Sequence, residues 1–325
     1  MFYIAIQFLL LKIIVSFFRL IRWPNLMFIA LTMVMFRYCI IRPIFSAAGI
    51  TENIHGMYFW LLVLSYIFIA AAGYIINDYF DLNIDQINKP EKVIVAKVIS
   101  RRWVLMWHGI LSLIAILLNF YIDGEAHNKH LPSFSAFACV VILFFYSASL
   151  KKKFLIGNIL VAAITAWVIP ILTLCEANHL IFINNIPANF DNEKLVRLTF
   201  LYTGFAFIIS LVREVVKDME DIDGDRRYGC KTMPIVWGIN ATKVFVAVWL
   251  IVLIAVLTAA QFYVIQFKWW LSILYAFVVI IAPLIYIFSK LFKANTSQDF
   301  HKLSSTIKLV MFTGIVSMLF FLFYS

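Results

Sequence analysis

Charge is what this sequence has least of. Asp, Glu, Lys and Arg supply 14% of its 325 residues and hydrophobic residues 64%. An ordinary soluble domain carries about 25% charged residues, so a water-soluble fold is excluded and lipid is the expected solvent. Cysteine is scarce as well. Cys39, Cys139, Cys175 and Cys230 form no C-x-x-C pair, and their scatter offers neither a disulfide framework nor a zinc site. The six histidines form no spaced pair, so no histidine-based metal or catalytic centre is expected. Glycine and proline, 11 and 8 in number, nowhere gather into a linker. Residues 1–325 therefore read as a single domain.

Long apolar runs fill the space that charge leaves. A hydrocarbon core about 30 Å thick needs roughly 20 apolar residues of helix. Nine stretches approach that length, the fourth being short: 24–42, 57–77, 103–121, 134–149, 155–175, 198–216, 243–264, 269–289 and 306–324. The expected fold class is all-α, a polytopic membrane bundle of about nine transmembrane helices. Pro170 and Pro283 fall inside the fifth and eighth and are expected to kink them. Ahead of the first stretch, within residues 1–22, Met1 to Phe18 is apolar around Lys12 and lacks a small-residue cleavage site before Arg19. That pattern reads as an interfacial helix and not as a signal peptide.

The net charge of +10 acquires meaning once it is placed along the chain. With the N-terminus in the cytoplasm, 21 of the 27 lysines and arginines fall on the cytoplasmic side. This is a strong positive-inside asymmetry. The basic balance is thus topological, with anionic membrane lipid as its partner and no nucleic acid implied. The expected location is the inner, cytoplasmic cell membrane, multi-pass, with a cytoplasmic N-terminus.

The acids are few, 17 in all, and eight of them lie in two short runs. Asn77-Asp78-Tyr79-Phe80-Asp81-Leu82-Asn83-Ile84-Asp85 ends the second apolar stretch. Asp218-Met219-Glu220-Asp221-Ile222-Asp223-Gly224-Asp225 follows the sixth. Both contain D-x-x-D-x-x-x-D, at 78/81/85 and at 218/221/225. On a helix those offsets fall within a stripe about 60° wide, so each run presents three carboxylates in one direction. A single acidic run at a helix end is ordinarily a solvated cap; two runs of identical spacing at two cytoplasmic helix ends are not. Hard oxygen donors in twos and threes suit Mg²⁺, which binds one or two carboxylates together with substrate phosphate oxygens. Two stripes facing across a central cavity open to the cytoplasm would suit a diphosphate with its Mg²⁺ ions. The order required of an EF-hand loop, with its terminal Glu, is missing.

With these motifs in view, the chain resembles the UbiA superfamily of intramembrane prenyltransferases. Asn77–Asp85 is similar to that family's N-D-x-x-D-x-x-x-D motif, and Asp218–Asp225 to its second aspartate-rich motif. Arg22-Trp-Pro-Asn25, Tyr146 to Lys151, Gly157-Asn158 and Gly229-Cys-Lys-Thr232 extend the resemblance. The resemblance implies that Asn77, Asp78, Asp81, Asp85, Asp218, Asp221 and Asp225 hold Mg²⁺ and, through it, a polyprenyl diphosphate. Asn77, Lys151 and Arg213 would contact the diphosphate. Lys151 and Arg213 are the candidate catalytic cations, acting on the charge that builds on the leaving group. Lys217 could pair with Asp221 four residues on or meet a ligand. Glu220 and Asp223 lie off the stripe, where solvation or pairing with Arg226 and Arg227 is expected.

The acceptor divides that family. Arg213–Asp225 is most similar to the archaeal-type members that add a geranylgeranyl group to geranylgeranylglycerol phosphate. The segment from Asn88-Lys-Pro90-Glu-Lys92 to Ile99-Ser100 points the same way, although Val93, Val95 and Lys97 stand where Pro, Pro and Gly are expected. A lipid-like acceptor with geranylgeranyl diphosphate as donor is therefore the first expectation. An aromatic precursor of menaquinone or ubiquinone type is the alternative. A transporter of anionic lipid or divalent ions is the remote one, because intramembrane acids also mark ion paths.

Overall fold

A computed structural model of the protein describes residues 11, 14–88, 94–125, 130–180, 187 and 189–324. Residues 1–10, 12 and 13, most of the segment read as an interfacial helix, lie outside the described residues. So do residues 89–93, which hold Lys89, Lys92 and Val93.

Among the described residues the chain is helical, with one isolated bridge between Val95 and Ile99. The long helices are α1 (Trp23–Ala47), α2 (Gly56–Asn88), α3 (Arg101–Glu125) and α4 (Leu131–Ala148). A broken pair follows, α5 (Ile156–Trp167) and α6 (Pro170–Leu180), and then α7 (Asn192–Glu220) and the short α8 (Ile222–Arg227). The last three are α9 (Gly238–Ile265), α10 (Trp270–Leu291) and α11 (Ser297–Phe323). Among the described residues, eight single helices are long and apolar enough to cross a membrane, and α5 with α6 makes a ninth.

The kink expected at Pro170 is present. The bend between α5 and α6 is 49° and falls immediately before Pro170. Pro170 has no N–H for the carbonyl of Ala166, which instead accepts from Ile169 N at 3.2 Å in a tighter turn. In α10 the chain widens into a π-turn over Ala276–Ile281, just ahead of Pro283. Pro283 cannot donate to the carbonyl of Val279, and the Thr313 hydroxyl of α11 donates to it at 3.3 Å. The expected helix ends moved outward: α2 runs on through the whole first acidic motif, well past residue 77.

The chain divides into two compact units. The first contains residues up to Ala30 and Ile54–Leu150. Within it α2 packs on α3 and α4. A methyl group at Gly73 would meet the Leu143 side chain of α4 at 3.0 Å, which shows how closely that side chain packs against α2. Small residues at such contacts replace the hydrophobic drive that lipid removes. Leu20, Leu26, Ala71, Ile75, Leu82 and Val104 form its core, joined by Val95 and Ile99 from the segment after the first motif. Val95 thus fills an apolar position where a proline was expected.

The second unit contains Leu31–Asn53 and Lys151–Ser325. Its central element is α7, packed against α5, α9 and α11. Val212, Val215, Val216 and Met219 of α7 meet Val246 and Leu250 of α9, Leu284 of α10 and Phe300 and Ile307 of α11 in one core. Gly314 of α11 faces the Phe205 ring so closely that any Cβ there would overlap it.

Candidate functional site

The first acidic motif lies on the last turns of α2 and is helical throughout. Asp78, Asp81 and Asp85 therefore share one face, as their spacing requires. Asn77 Nδ2 donates to Asp81 Oδ2 at 2.7 Å, so the amide orients the central carboxylate. Arg22 Nη2 donates to Asp78 Oδ1 at 2.7 Å in a part-buried ion pair. Arg22 itself has left-handed backbone (φ 52°) at the turn into α1, and its guanidinium also lies over the Tyr74 ring at 5.0 Å. The resemblance had marked Arg22 only as part of a flanking tetrapeptide.

The second motif is built differently from the expectation of a single stripe. α7 ends at Glu220, Asp221 takes a non-helical conformation (φ −100°, ψ 11°), and α8 restarts at Ile222. Asp218 thus belongs to α7, Asp221 to the junction and Asp225 to α8. The physical reason is helix polarity. Asp218 and Glu220 crowd the negative C-terminal end of α7, whereas Asp223 and Asp225 fall in the first turn of α8, where the dipole favours acids. Gly224 further weakens a continuous helix.

Within the second unit an amide, two cations and the turn that carries Lys151 lie near this motif. Asn158 of α5 donates through Nδ2 to Asp218 Oδ2 at 2.9 Å. Arg213 Nη1 donates to Glu214 Oε1 at 3.1 Å, and Lys217 Nζ lies 3.3 Å from both Glu214 oxygens. Lys217 is therefore paired with Glu214, a partner that the i, i+4 reading toward Asp221 did not name. Lys151 lies in the 3₁₀ turn Leu150–Lys152, and that turn is tied to the far side of the motif. Cys230 N donates to Asp225 O at 3.0 Å and Lys231 N to Lys152 O at 2.8 Å. Off the stripe, Glu220 receives His301 at 3.0 Å, a partner the sequence did not suggest.

The donor chemistry fits Mg²⁺. The side chains offered are carboxylates and an amide, all oxygen ligands. Among the described residues no three acidic, histidine or cysteine side chains converge to cage an ion by themselves. Mg²⁺ asks for no such cage, since it completes its shell with water and phosphate oxygens.

Comparison with known proteins was decisive. The model of the UbiA prenyltransferase family matches residues 39–323. The chain belongs to this family. It is accordingly an integral, multi-pass membrane protein and a prenyltransferase. Over 254 residues it is 32% identical to the digeranylgeranylglyceryl phosphate synthase of Methanosphaera stadtmanae, covering 77% of this chain and 83% of that one. A solved structure of digeranylgeranylglyceryl phosphate synthase superposes with a TM-score of 0.58 at 19% identity, covering 94% of this chain and 98% of the other. A UbiA homologue from Archaeoglobus fulgidus, solved with DMAPP and Mg²⁺, gives 0.55 at 15% identity, covering 93% and 99%. Both share the fold with this chain.

Sequence reasoning marked Arg22 and Asn158 only as parts of flanking motifs and gave neither a role. Each had a faint signal as a lone polar group beside an apolar helix on the strongly basic side of the chain. Their partners, Asp78 and Asp218, lie 56 and 60 residues away, beyond the reach of any helical spacing.

Proposed function

We propose that the protein transfers a geranylgeranyl group from geranylgeranyl diphosphate to the free hydroxyl of geranylgeranylglycerol phosphate or a close prenyl-glycerol phosphate. The observation that carries this reading is the 32% identity over 254 residues to a relative named digeranylgeranylglyceryl phosphate synthase.

Asn77, Asp78, Asp81 and Asp85 of α2, with Asp218, Asp221 and Asp225 of the second unit, would hold Mg²⁺. Bound there, Mg²⁺ would neutralise the diphosphate and make it a better leaving group. Asn77 and Asn158 orient Asp81 and Asp218 for that task. Lys151 and Arg213 would contact diphosphate oxygens, where negative charge grows as the allylic C1–O bond breaks. The acceptor hydroxyl then bonds to C1, its proton is released and diphosphate leaves. The surrounding apolar helices would exclude the water that competes for C1. The two units would act as one catalytic domain, with both motifs and the N-terminus facing the cytoplasm, as the bias of 21 in 27 basic residues favours.

The test is a competition. Purified protein receives geranylgeranyl diphosphate, Mg²⁺ and equal amounts of geranylgeranylglycerol phosphate and 4-hydroxybenzoate or 1,4-dihydroxy-2-naphthoate. Mass spectrometry should find the diether phosphate as the dominant product. A dominant prenylated aromatic acid would overturn the acceptor and leave the family membership untouched.

A further inference from the structure

Ser297 and His301, four residues apart at the start of α11, share one face of that helix. Both reach the last residue of α7. The Ser297 hydroxyl donates to the Glu220 carbonyl at 3.0 Å, and His301 donates through Nδ1 to Glu220 Oε1 at 3.0 Å. A helix end leaves its final carbonyls without intrahelical partners, so the serine supplies what α7 lacks there. Glu220 is thus gripped by backbone and side chain at once, and its side chain is only 7% exposed.

The platform behind this grip is itself fixed. Thr296 and Asp299 close a capping box at the start of α11. In it Asp299 N donates to Thr296 Oγ1 at 3.2 Å and Thr296 N to Asp299 Oδ2 at 3.1 Å. Just ahead, Lys243 of α9 is buried, with Nζ donating to Asn295 Oδ1 at 3.3 Å and to Phe292 O at 3.5 Å. Phe300, beside His301, sits in the core that also holds Met219 of α7. His301 itself is 59% exposed, and a contact of this kind adds little stability. Its place is what gives it weight, because the residue it holds immediately precedes Asp221.

From Asp221 the chain turns into α8, and Asp225 lies four residues on, about 6 Å of helix from the junction. A swing of about 10° there moves the Asp225 backbone by about 1 Å. A misplacement of that size can cost about a hundredfold in rate. We infer that Ser297 and His301 are positioning residues for the second acidic motif: by gripping Glu220 they fix the point and direction from which α8 departs, and so place Asp221 and Asp225 for Mg²⁺. The inference rests on the reading of those two acids as Mg²⁺ ligands given above. Glu220 is then a handle and not a ligand, which accounts for its place off the acidic stripe.

The experiment is an Mg²⁺ titration of turnover in detergent, with geranylgeranyl diphosphate and the accepted acceptor both saturating. The double variant Ser297→Ala/His301→Leu should raise the half-saturating Mg²⁺ concentration about tenfold or more, as loss of outer support to metal ligands does. Most of the turnover should return at high Mg²⁺, and the KM for the acceptor should stay as in the wild type. Ser297→Thr and His301→Asn keep a hydroxyl and an N–H donor at the same reach, and each should titrate like the wild type. Gly314→Ala loosens the packing of α11 on α7 at Phe205, away from the motif. It should lower the thermal midpoint and leave the Mg²⁺ titration in place, which separates positioning from general loosening. A double variant whose titration superposes on the wild type overturns the inference, and so does an equal Mg²⁺ shift in Gly314→Ala. Should the double variant fail to fold, Ser297→Ala alone is read by the same criteria. Full Mg²⁺-dependent turnover in both Asp221→Ala and Asp225→Ala removes the underlying metal reading, and the inference with it.

Discussion

Asn158 Nδ2 and Asp218 Oδ2 lie 2.9 Å apart, joining α5 to the first carboxylate of the second acidic motif. The bond fixes which oxygen of Asp218 is left to face a ligand. Losing such an outer partner typically lowers metal affinity or activity about 10- to 100-fold. Asn158→Ala should therefore raise the Mg²⁺ concentration needed for half-maximal turnover, with most activity recovered at high Mg²⁺. Asn158→Asp places a second carboxylate against Asp218 and should act more severely at low Mg²⁺. An Mg²⁺ titration of turnover that superposes on the wild type for Asn158→Ala would remove this positioning role.

The proposed metal set makes the sharpest prediction. Asp81→Ala and Asp225→Ala should each lower turnover by at least about a hundredfold while leaving a folded bundle. EDTA should abolish wild-type activity and added Mg²⁺ restore it. Near-normal turnover in either variant, or indifference to chelation, would sink the two-motif site.

Packing offers a test independent of chemistry. Gly314→Ala forces a methyl group into the Phe205 ring, and overpacking of this kind costs about 1–3 kcal/mol. Its thermal midpoint in detergent should fall. Phe205→Leu in the same chain should return part of the loss, giving a coupling energy in a double-mutant cycle. Strict additivity of the two changes would show that the contact is relieved elsewhere.

Topology can be probed by cysteine labelling. All four native cysteines are buried, which favours a quiet background once they are replaced. Single cysteines in 94–100 and 226–232 should react with an impermeant maleimide from the cytoplasmic side, and one at residue 189 or 190 from the other. Reaction of the two motif-bearing loops from opposite sides would end the shared-site proposal.

Much of this was legible in the sequence because membranes impose few options. Apolar length alone placed the eight single spans and the broken α5–α6 pair found among the described residues, and Pro170 and Pro283 marked two of their irregularities, since a missing N–H disrupts a helix whatever surrounds it. The first acidic stripe was legible for a related reason, as α2 continues straight through Asp85. The second was misjudged. Reading Asp218, Asp221 and Asp225 at 100° per residue assumes an unbroken helix, and the same acids that make the motif also oppose the dipole at the end of α7. The Arg22–Asp78 and Asn158–Asp218 bonds were invisible for another reason, as contacts between distant segments leave no periodic trace in one chain. Lys217 shows the limit on a small scale: Glu214 and Asp221 both lie at helical spacing from it, and spacing alone does not single out the Glu214 contact.

That junction sets the two motifs apart in how they tolerate changes of register. One alanine inserted between Asp81 and Asp85 would turn the last carboxylate of α2 by about 100°, away from its companions, with no joint nearby to take up the error. Between Asp221 and Asp225 the same insertion meets a chain that has already left the helix at Asp221 (φ −100°, ψ 11°), where a few dihedral angles can bring the carboxylate back. The spacing of the first motif is therefore a rigid gauge, and that of the second an adjustable one.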